Sequence, residues 1–159
     1  MKRFLILAMV VFGTLASVSA REIYSLNSGW KFFYKEENSS DNAREVSIPH
    51  TWNLDAFVGD GTYYQTSANY QRTLFVPAEW RGKRLFLRFK GVQSVADVFL
   101  NGRHIGDHYG GYTAFTFEIT ENVSYGFNNS LQVVVGNTYH YLTLYRLGLG
   151  KPSISRVQE

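Results

Sequence analysis

Two histidines, His104 and His108, lie four residues apart. On a helix this spacing would bring both imidazoles to one face, where they could hold a metal ion. Glycines at 102, 106 and 110 argue against a helix, because glycine weakens a helix interior. We therefore interpret the histidines as loop residues that cap backbone groups, and we expect no metal site.

The sequence lacks the motifs of several other kinds of site. The sequence has no cysteine, which excludes thiol nucleophiles, zinc–thiolate sites and disulfides. No serine lies in the Gly-x-Ser-x-Gly setting of an esterase nucleophile. No glycine-rich phosphate loop leads into a helix either. We expect no cofactor.

The segment from Gly91 to Thr120 predicts antiparallel strands. Residues 94–100 carry apolar side chains on both faces, which is typical of a covered strand. Asn101-Gly102 follows, and this pair is a strong hairpin signal because a type I′ turn needs positive φ at both central residues. Residues 115–120 then alternate apolar and polar, like a strand with one solvated face.

Short strands separated by turns are predicted along most of the remaining chain, at 29–34, 45–48, 70–76, 83–90 and 130–135. Pro49 and Pro77 end two of them, and a long irregular loop spans 50–69. This spacing, without helical periodicity, indicates an all-β fold. We predict an antiparallel β-sandwich of the jelly-roll type.

The first 20 residues have the pattern of a secretory signal peptide. Lys2 and Arg3 precede an apolar run from Phe4 to Ala16, and Val18-Ser19-Ala20 forms a small-x-small cleavage pattern. The run is shorter than the roughly 20 residues of a spanning helix; the alternative is a buried core helix. We expect an exported protein, periplasmic or extracellular, without a membrane anchor.

Removal of this segment changes the charge balance. The whole chain has 16 basic and 13 acidic residues, whereas loss of Lys2 and Arg3 leaves 14 against 13, a net charge of +1. No basic run or patch remains, so we expect no nucleic-acid partner. The remaining length suits one domain with a sizeable core.

The motifs, in their order from Leu26 to Asn137, resemble the N-terminal sugar-binding domain of the glycoside hydrolase family 2 enzymes. That family includes β-galactosidases, β-glucuronidases and β-mannosidases. The export signal and the sequence of residues 49–53 look most like those of Bacteroides-type bacterial enzymes. The matching pieces are Leu26–Phe32, Ile48–Asn53, Tyr70–Arg72, Val76–Pro77, Trp80–Arg84, Phe89–Val92, Ala96–Gly102, Gly106, His108, Gly110–Tyr112, Phe115–Thr120 and Asn128.

The resemblance implies a galactose-binding-domain-like jelly roll that acts as an accessory domain of a secreted, β-galactosidase-like hydrolase. In this family two catalytic glutamates lie on a separate (β/α)8 barrel, so we expect no catalytic residue here. The implied partners are a carbohydrate and the missing downstream immunoglobulin-like and barrel domains. The acids of this chain match no family catalytic motif; they include Glu36, Glu37, Glu45, Asp55, Asp60, Glu79, Asp97, Asp107, Glu118 and Glu121.

The long loop carries the expected sugar contacts, which are His50, Thr51, Trp52 and Asn53. Trp52 has two interpretations, a core plug like Trp30 and Trp80 or a platform for sugar stacking. His50 has two as well, since it could touch a ligand or fasten the loop. The alternative function, a stand-alone carbohydrate-binding module, would need a platform from Trp52, Tyr63, Tyr64 and Tyr112.

The sequence departs from the family pattern after Asn137. We therefore divide the chain into the signal peptide 1–20, the sugar-binding domain 21–137 and a divergent tail 138–159. The hypothesis is a shifted or interrupted reading frame, which would leave an unpaired edge beside a partly covered apolar face. A non-functional truncated fragment is thus a further alternative.

Overall fold

A computed structural model describes residues 21–35, 42–53, 61 and 63–137. The predicted signal peptide and the predicted tail lie outside the described residues. The strands are β1 (Trp30–Tyr34), β2 (Arg44–Val46), β3 (Ser67–Val76), β4 (Phe86–Phe89), β5 (Val95–Leu100), β6 (Arg103–Tyr109), β7 (Phe115–Glu118) and β8 (Phe127–Gly136). A single helical turn, Ala78–Trp80, follows β3.

The strands form two antiparallel sheets. The large sheet has the order β2-β1-β3-β8-β5-β6, and the small sheet pairs β4 with β7. The longest ladder joins β3 to β8, from Ser67 opposite Gly136 to Val76 opposite Phe127. This arrangement confirms the predicted all-β antiparallel β-sandwich.

Within the described residues, no helix is long and apolar enough to cross a membrane.

Several strand boundaries differ from the prediction. Strand β3 begins three residues before Tyr70, and β4 covers only Phe86–Phe89 of the predicted 83–90. The assignment of His104 and His108 to a loop was wrong, because both lie in β6. Gly106 does not end this strand. A Cβ atom there would lie 2.4 Å from Cε1 of Phe117, so the position needs glycine for space.

The predicted hairpin turn is confirmed between β5 and β6. The φ angles of Asn101 and Gly102 are 52° and 76°, both positive as a type I′ turn requires. The Asn101 side chain also ties the turn to β8, since its Oδ1 accepts a hydrogen bond from the Ser130 amide at 2.9 Å.

The core lies between the two sheets. Its buried residues come mainly from the inner face of the large sheet, and the small sheet adds Leu87 and the half-buried Phe89, Phe115 and Phe117. The buried core cluster comprises Trp30, Phe32, Trp52, Ala68, Tyr70, Leu87, Ala96, Val98, Leu100, Ile119, Leu131, Val133 and Val135.

Asn129 is a buried polar residue at the edge of this core, with 1% of its surface exposed. Its Oδ1 accepts hydrogen bonds from the Ser124 amide at 2.7 Å and from Asn101 Nδ2 at 2.8 Å. Its Nδ2 donates to the carbonyl oxygens of Ser124 and Phe127, each at 3.0 Å. One side chain therefore joins β8, the loop before it and the β5–β6 turn.

Asn129→Ala is expected to lower the free energy of unfolding by about 1–3 kcal/mol, because it leaves buried backbone groups without partners. Urea denaturation of the full chain measures this. Asn128→Ala, at the exposed neighbouring position, is the matched control and should change the midpoint little. Equal midpoints for the two variants would contradict the structural role of Asn129.

Candidate functional site

The segment after β2 crosses the inner face of the large sheet. Val46, the last residue of β2, pairs with Trp30 at one end of β1. The chain then turns back, and the His50 ring packs on Phe32 with centroids 4.8 Å apart. The Trp52 ring, two residues later, also stacks on Phe32, with ring centroids 6.2 Å apart and an interplanar angle of 24°. Residues 47–53 therefore cover part of the core.

The half-buried His50 is held by a hydrogen bond between its Nδ1 and the Tyr70 hydroxyl at 2.8 Å. Tyr70 lies on β3 and is itself buried, at 7% exposure. This contact supports the interpretation that His50 fastens the loop. A direct contact of His50 with a ligand stays a prediction.

Trp52 is 5% exposed. Its indole Nε1–H donates a hydrogen bond to the Tyr64 carbonyl oxygen at 3.2 Å. The ring therefore fills the core, as Trp30 does at 3% exposure, and offers a ligand little more than an edge. Its assignment as a sugar contact stays a prediction. Trp80 is half-buried and packs on Tyr24, with centroids 4.9 Å apart.

Asn53 holds the residues just before β3 in place. Its Oδ1 accepts a hydrogen bond from the Tyr64 amide at 2.7 Å, and Asn137 Nδ2 donates to the Tyr64 carbonyl oxygen at 2.9 Å. Asn137 Oδ1 in turn accepts from the Thr66 amide at 2.8 Å. Two asparagine side chains thus satisfy the backbone on either side of Tyr64. The role of Asn137 was not predicted from the sequence.

Thr51 is exposed, and it lies between the two anchored side chains of His50 and Trp52. Tyr63 and Tyr64 are exposed as well, at 61% and 44%. Of the expected contacts, Thr51 is therefore the one whose side chain is most available to a ligand. Hydroxyls and aromatic faces are the groups that hydrogen-bond and stack on polar ring compounds.

A second exposed tyrosine loop leaves the same end of the large sheet. Tyr109, the last residue of β6, pairs with Val95, and Val95 pairs with Gly136. Gly136 pairs in turn with Ser67, the first residue of β3. The loop carrying Tyr112, which is 90% exposed, and the loop carrying Tyr64 therefore flank one sheet end.

Glu118 is engaged in a surface ion pair. Arg84 donates to both of its carboxylate oxygens, at 3.1 and 2.7 Å, and the Thr120 hydroxyl donates at 2.9 Å. The hydrogen bonds from Arg84, and then that from Thr120, hold the pKa of Glu118 below its ordinary value. A general acid in glycoside hydrolysis needs a raised pKa. The pKa of Glu118 is shifted in the opposite direction.

Three arginines in or next to the strands differ in their surroundings. Arg88 is exposed, and Arg84 is exposed but paired with Glu118. Arg72 is half-buried, and its Nη1 donates hydrogen bonds to the carbonyl oxygens of Leu26, at 3.0 Å, and Ser28. It thereby ties the N-terminal segment to β3.

A cluster on the hairpin of β5 and β6 was not predicted from the sequence. Asp97, His104 and Asp107 each offer a ligand atom, and these atoms lie within 4.8 Å of one another. Their positions in the sequence do not suggest one shared face. The glycine at 106, inside a strand pattern, was the available signal, because it suggests a bulge.

Comparisons with known proteins agree with this fold. The family described as "Glycosyl hydrolases family 2, sugar binding domain" matches residues 23–143. A β-glucuronidase of Bacteroides fragilis is 47% identical over 135 residues, which cover 82% of this chain and 19% of that protein. A β-galactosidase of Thermoanaerobacter pseudethanolicus is 33% identical over 131 residues, covering 76% of this chain and 17% of that protein.

Solved structures give the same result. A β-glucuronidase of Bacteroides uniformis superposes with a TM-score of 0.67 at 32% identity, over 75% of this chain and 15% of that one. A structure titled putative β-galactosidase from Bacteroides fragilis has a TM-score of 0.66 at 37% identity, over 75% and 19%. The chain thus spans less than a fifth of the length of each of these relatives.

Trp52→Ala is expected to lower the free energy of unfolding by about 3–5 kcal/mol, because it removes a buried aromatic ring and leaves a cavity. Trp80→Ala, at a half-buried position, should cost clearly less. Chemical denaturation of the two variants and the parent chain measures the difference. A Trp52 variant no less stable than the Trp80 variant would show that residues 47–53 do not cover the core.

The Glu118 carboxyl is expected to titrate below the ordinary range of a glutamate. Arg84→Gln should raise its pKa, whereas Lys83→Gln, one residue away, should leave it unchanged. The pair's contribution to stability should be present above the ordinary pKa and disappear as the pH falls through the lowered value. Carboxyl carbon NMR titration reads this directly, and an identical Glu118 curve in all three proteins would refute the pairing.

Proposed function

The chain belongs to glycosyl hydrolase family 2 and carries the sugar-binding domain of that family, and we propose that it serves as the accessory carbohydrate-binding domain of an exported glycosidase. The proposed substrates are β-glucuronides or β-galactosides, the two activities named among its relatives. The partners in this proposal are a carbohydrate and the downstream immunoglobulin-like and barrel domains of the parent enzyme.

One observation carries the proposed role. Thr51 is exposed on a segment whose backbone is fixed by buried or hydrogen-bonded neighbours, Trp52 and Asn53. A side chain presented from an anchored loop loses little entropy when it binds, and such pre-organisation favours recognition. Tyr63 and Tyr64 lie exposed next to the same anchors. We infer that this end of the sheet faces the sugar.

The chemistry is proposed to reside on a separate domain. A retaining glycosidase needs two carboxyl groups about 5–5.5 Å apart, one of them with a raised pKa. Among the described residues, Glu118 has a lowered pKa through Arg84. Asp97 and Asp107 lie with His104 on the face of a strand pair. Neither arrangement has the form of a glycosidase site.

Export is part of the proposal. The basic start, the apolar run and the cleavage pattern of residues 1–20 support a signal peptide. A periplasmic or extracellular enzyme would meet carbohydrate outside the cytoplasm. Cell fractionation of a producing strain, with N-terminal sequencing of the product, tests both export and cleavage after Ala20.

A domain exchange tests the proposed function. The 135 aligned residues of the Bacteroides fragilis β-glucuronidase are replaced by those of this chain. The chimaera is expected to hydrolyse p-nitrophenyl β-D-glucuronide. Thr51→Ala in the chimaera should raise KM roughly 2–10-fold, because one hydrogen bond to the sugar is worth about 0.5–1.5 kcal/mol.

Thr73→Ala, an exposed threonine in the middle of β3, is the matched control and should leave KM unchanged. A folded chimaera without activity would count against the accessory role. Equal KM values for the two threonine variants would remove Thr51 from the sugar contact. Loss of kcat alone would point to domain packing instead.

A second function, a stand-alone carbohydrate-binding module, is favoured by the exposed tyrosines at one sheet end. Tyr63, Tyr64 and Tyr112 could together form an aromatic platform. Titration of the full chain with galactosides, glucuronides and plant-wall oligosaccharides tests this reading. Saturable binding that weakens in Tyr112→Ala would support it. Absence of binding by a cooperatively folded chain would favour the accessory role.

A further inference from the structure

We propose that Asp97, His104 and Asp107 form a binding site for a divalent transition-metal ion, of the Zn²⁺ type, on the outer face of the large sheet. The site would clamp the hairpin of β5 and β6. It is independent of the proposed sugar contacts, which lie on the segment after β2.

The strand register explains why the three side chains meet. Asp97 lies directly opposite Asp107, and Phe99 lies opposite His104. The register shifts between Val98 and Phe99, so β6 contains one extra residue there. In a regular strand, positions 104 and 107 would point to opposite faces. The bulge brings both to the face shared by Asp97 and Phe99.

The distances fit a metal site that needs a small adjustment. His104 Nε2 lies 3.4 Å from Asp97 Oδ1, and the three donor atoms lie within 4.8 Å of one another. Nitrogen and oxygen ligands lie about 2.0–2.2 Å from Zn²⁺ in tetrahedral sites, so two ligands of one ion are about 3.3–3.6 Å apart. The His104–Asp97 distance already matches this, and the more distant donor atom must move closer by about 1 Å. The His104 side chain is 38% exposed, which leaves it room to rotate.

The charges favour a cation at this position. Two carboxylates directly opposite each other across a strand pair destabilise the pair. The Asp97 side chain is only 14% exposed, so solvent screens its charge incompletely. A bound divalent cation would attract both carboxylates, in addition to the contact that His104 makes with Asp97, and would hold the two strands together.

The donor set selects the class of ion. One imidazole with two carboxylates suits Zn²⁺ and neighbouring first-row ions, whereas Ca²⁺ and Mg²⁺ prefer oxygen ligands alone. Water would complete the coordination shell, because three protein ligands leave at least one position open. Within the described residues, β6 is the outermost strand at its end of the large sheet. The ion would therefore stabilise a sheet edge.

Titration of the metal-free full chain with ZnCl₂, followed by calorimetry, tests the proposal. One Zn²⁺ per chain is expected, with a rise in Tm that an equal concentration of Mg²⁺ does not reproduce. His104→Gln and Asp107→Asn should each weaken Zn²⁺ binding at least tenfold. His108→Gln, on the same strand but outside the cluster, should bind Zn²⁺ like the parent chain.

Co²⁺ provides a measurement that does not depend on variant stability. Its visible absorption on binding to the parent chain should be displaced by Zn²⁺ and report imidazole and carboxylate ligation. The proposal is overturned if the parent chain binds no Zn²⁺, or if the His104 and His108 variants bind it equally. It is also overturned if His104→Gln lowers Tm while Zn²⁺ leaves the parent unchanged, because the cluster is then only an ion pair.

Discussion

The stacking of Trp52 on Phe32 is the contact on which the rest of this structure depends. Among the described strands, six form the large sheet and two the small one. The small sheet can therefore cover only part of the inner face of the large sheet. Phe32 is fully buried at 0% exposure although β1 lies near the edge of the large sheet. The segment with His50 and Trp52 contributes to that burial, beside Tyr70 of β3. The loop is therefore part of the core.

This use of the loop constrains function. A loop that is anchored by an indole, an imidazole and an amide cannot reorganise freely around a ligand, because each movement would expose buried surface or break a hydrogen bond. The residue between the anchors, Thr51, is then presented in one position. Rigidity of this kind suits an accessory domain that shapes one side of a sugar site. It suits less well a module that must adapt to many glycans.

Local signals in the sequence predicted much of the fold. The Asn101-Gly102 turn is set by the φ angles of two adjacent residues, and these appear as expected. Alternation predicted β7, and apolar residues on both faces predicted β5. The strand boundaries were predicted less accurately, since the ends of β3 and β4 depend on how far each partner strand extends. A local sequence pattern does not show which distant residues will pair.

The site shows the same division. From the sequence alone, a tryptophan in a loop can be either a platform for sugar stacking or a part of the core. Only its contacts with Phe32 and Tyr64 decide between the two. The side chains of His104 and Asp107 share a face only because of the bulge in β6. In a regular strand the two side chains would lie on opposite faces. The only sign of the bulge in the sequence is one glycine, Gly106. The residues whose roles escaped prediction are those whose neighbours come from another part of the chain.

Several ionisable groups in the described residues make contacts that hold the fold together. Arg72 binds backbone carbonyls, Arg84 fixes Glu118, and His104 lies against Asp97. A catalytic acid requires burial without a compensating cation, so that its proton is retained near neutral pH. An exposed strand pair provides the reverse, a solvated carboxylate beside a guanidinium. In the proposed function, the chemistry of a retaining glycosidase accordingly resides on a separate domain, and this one contacts the sugar from one side.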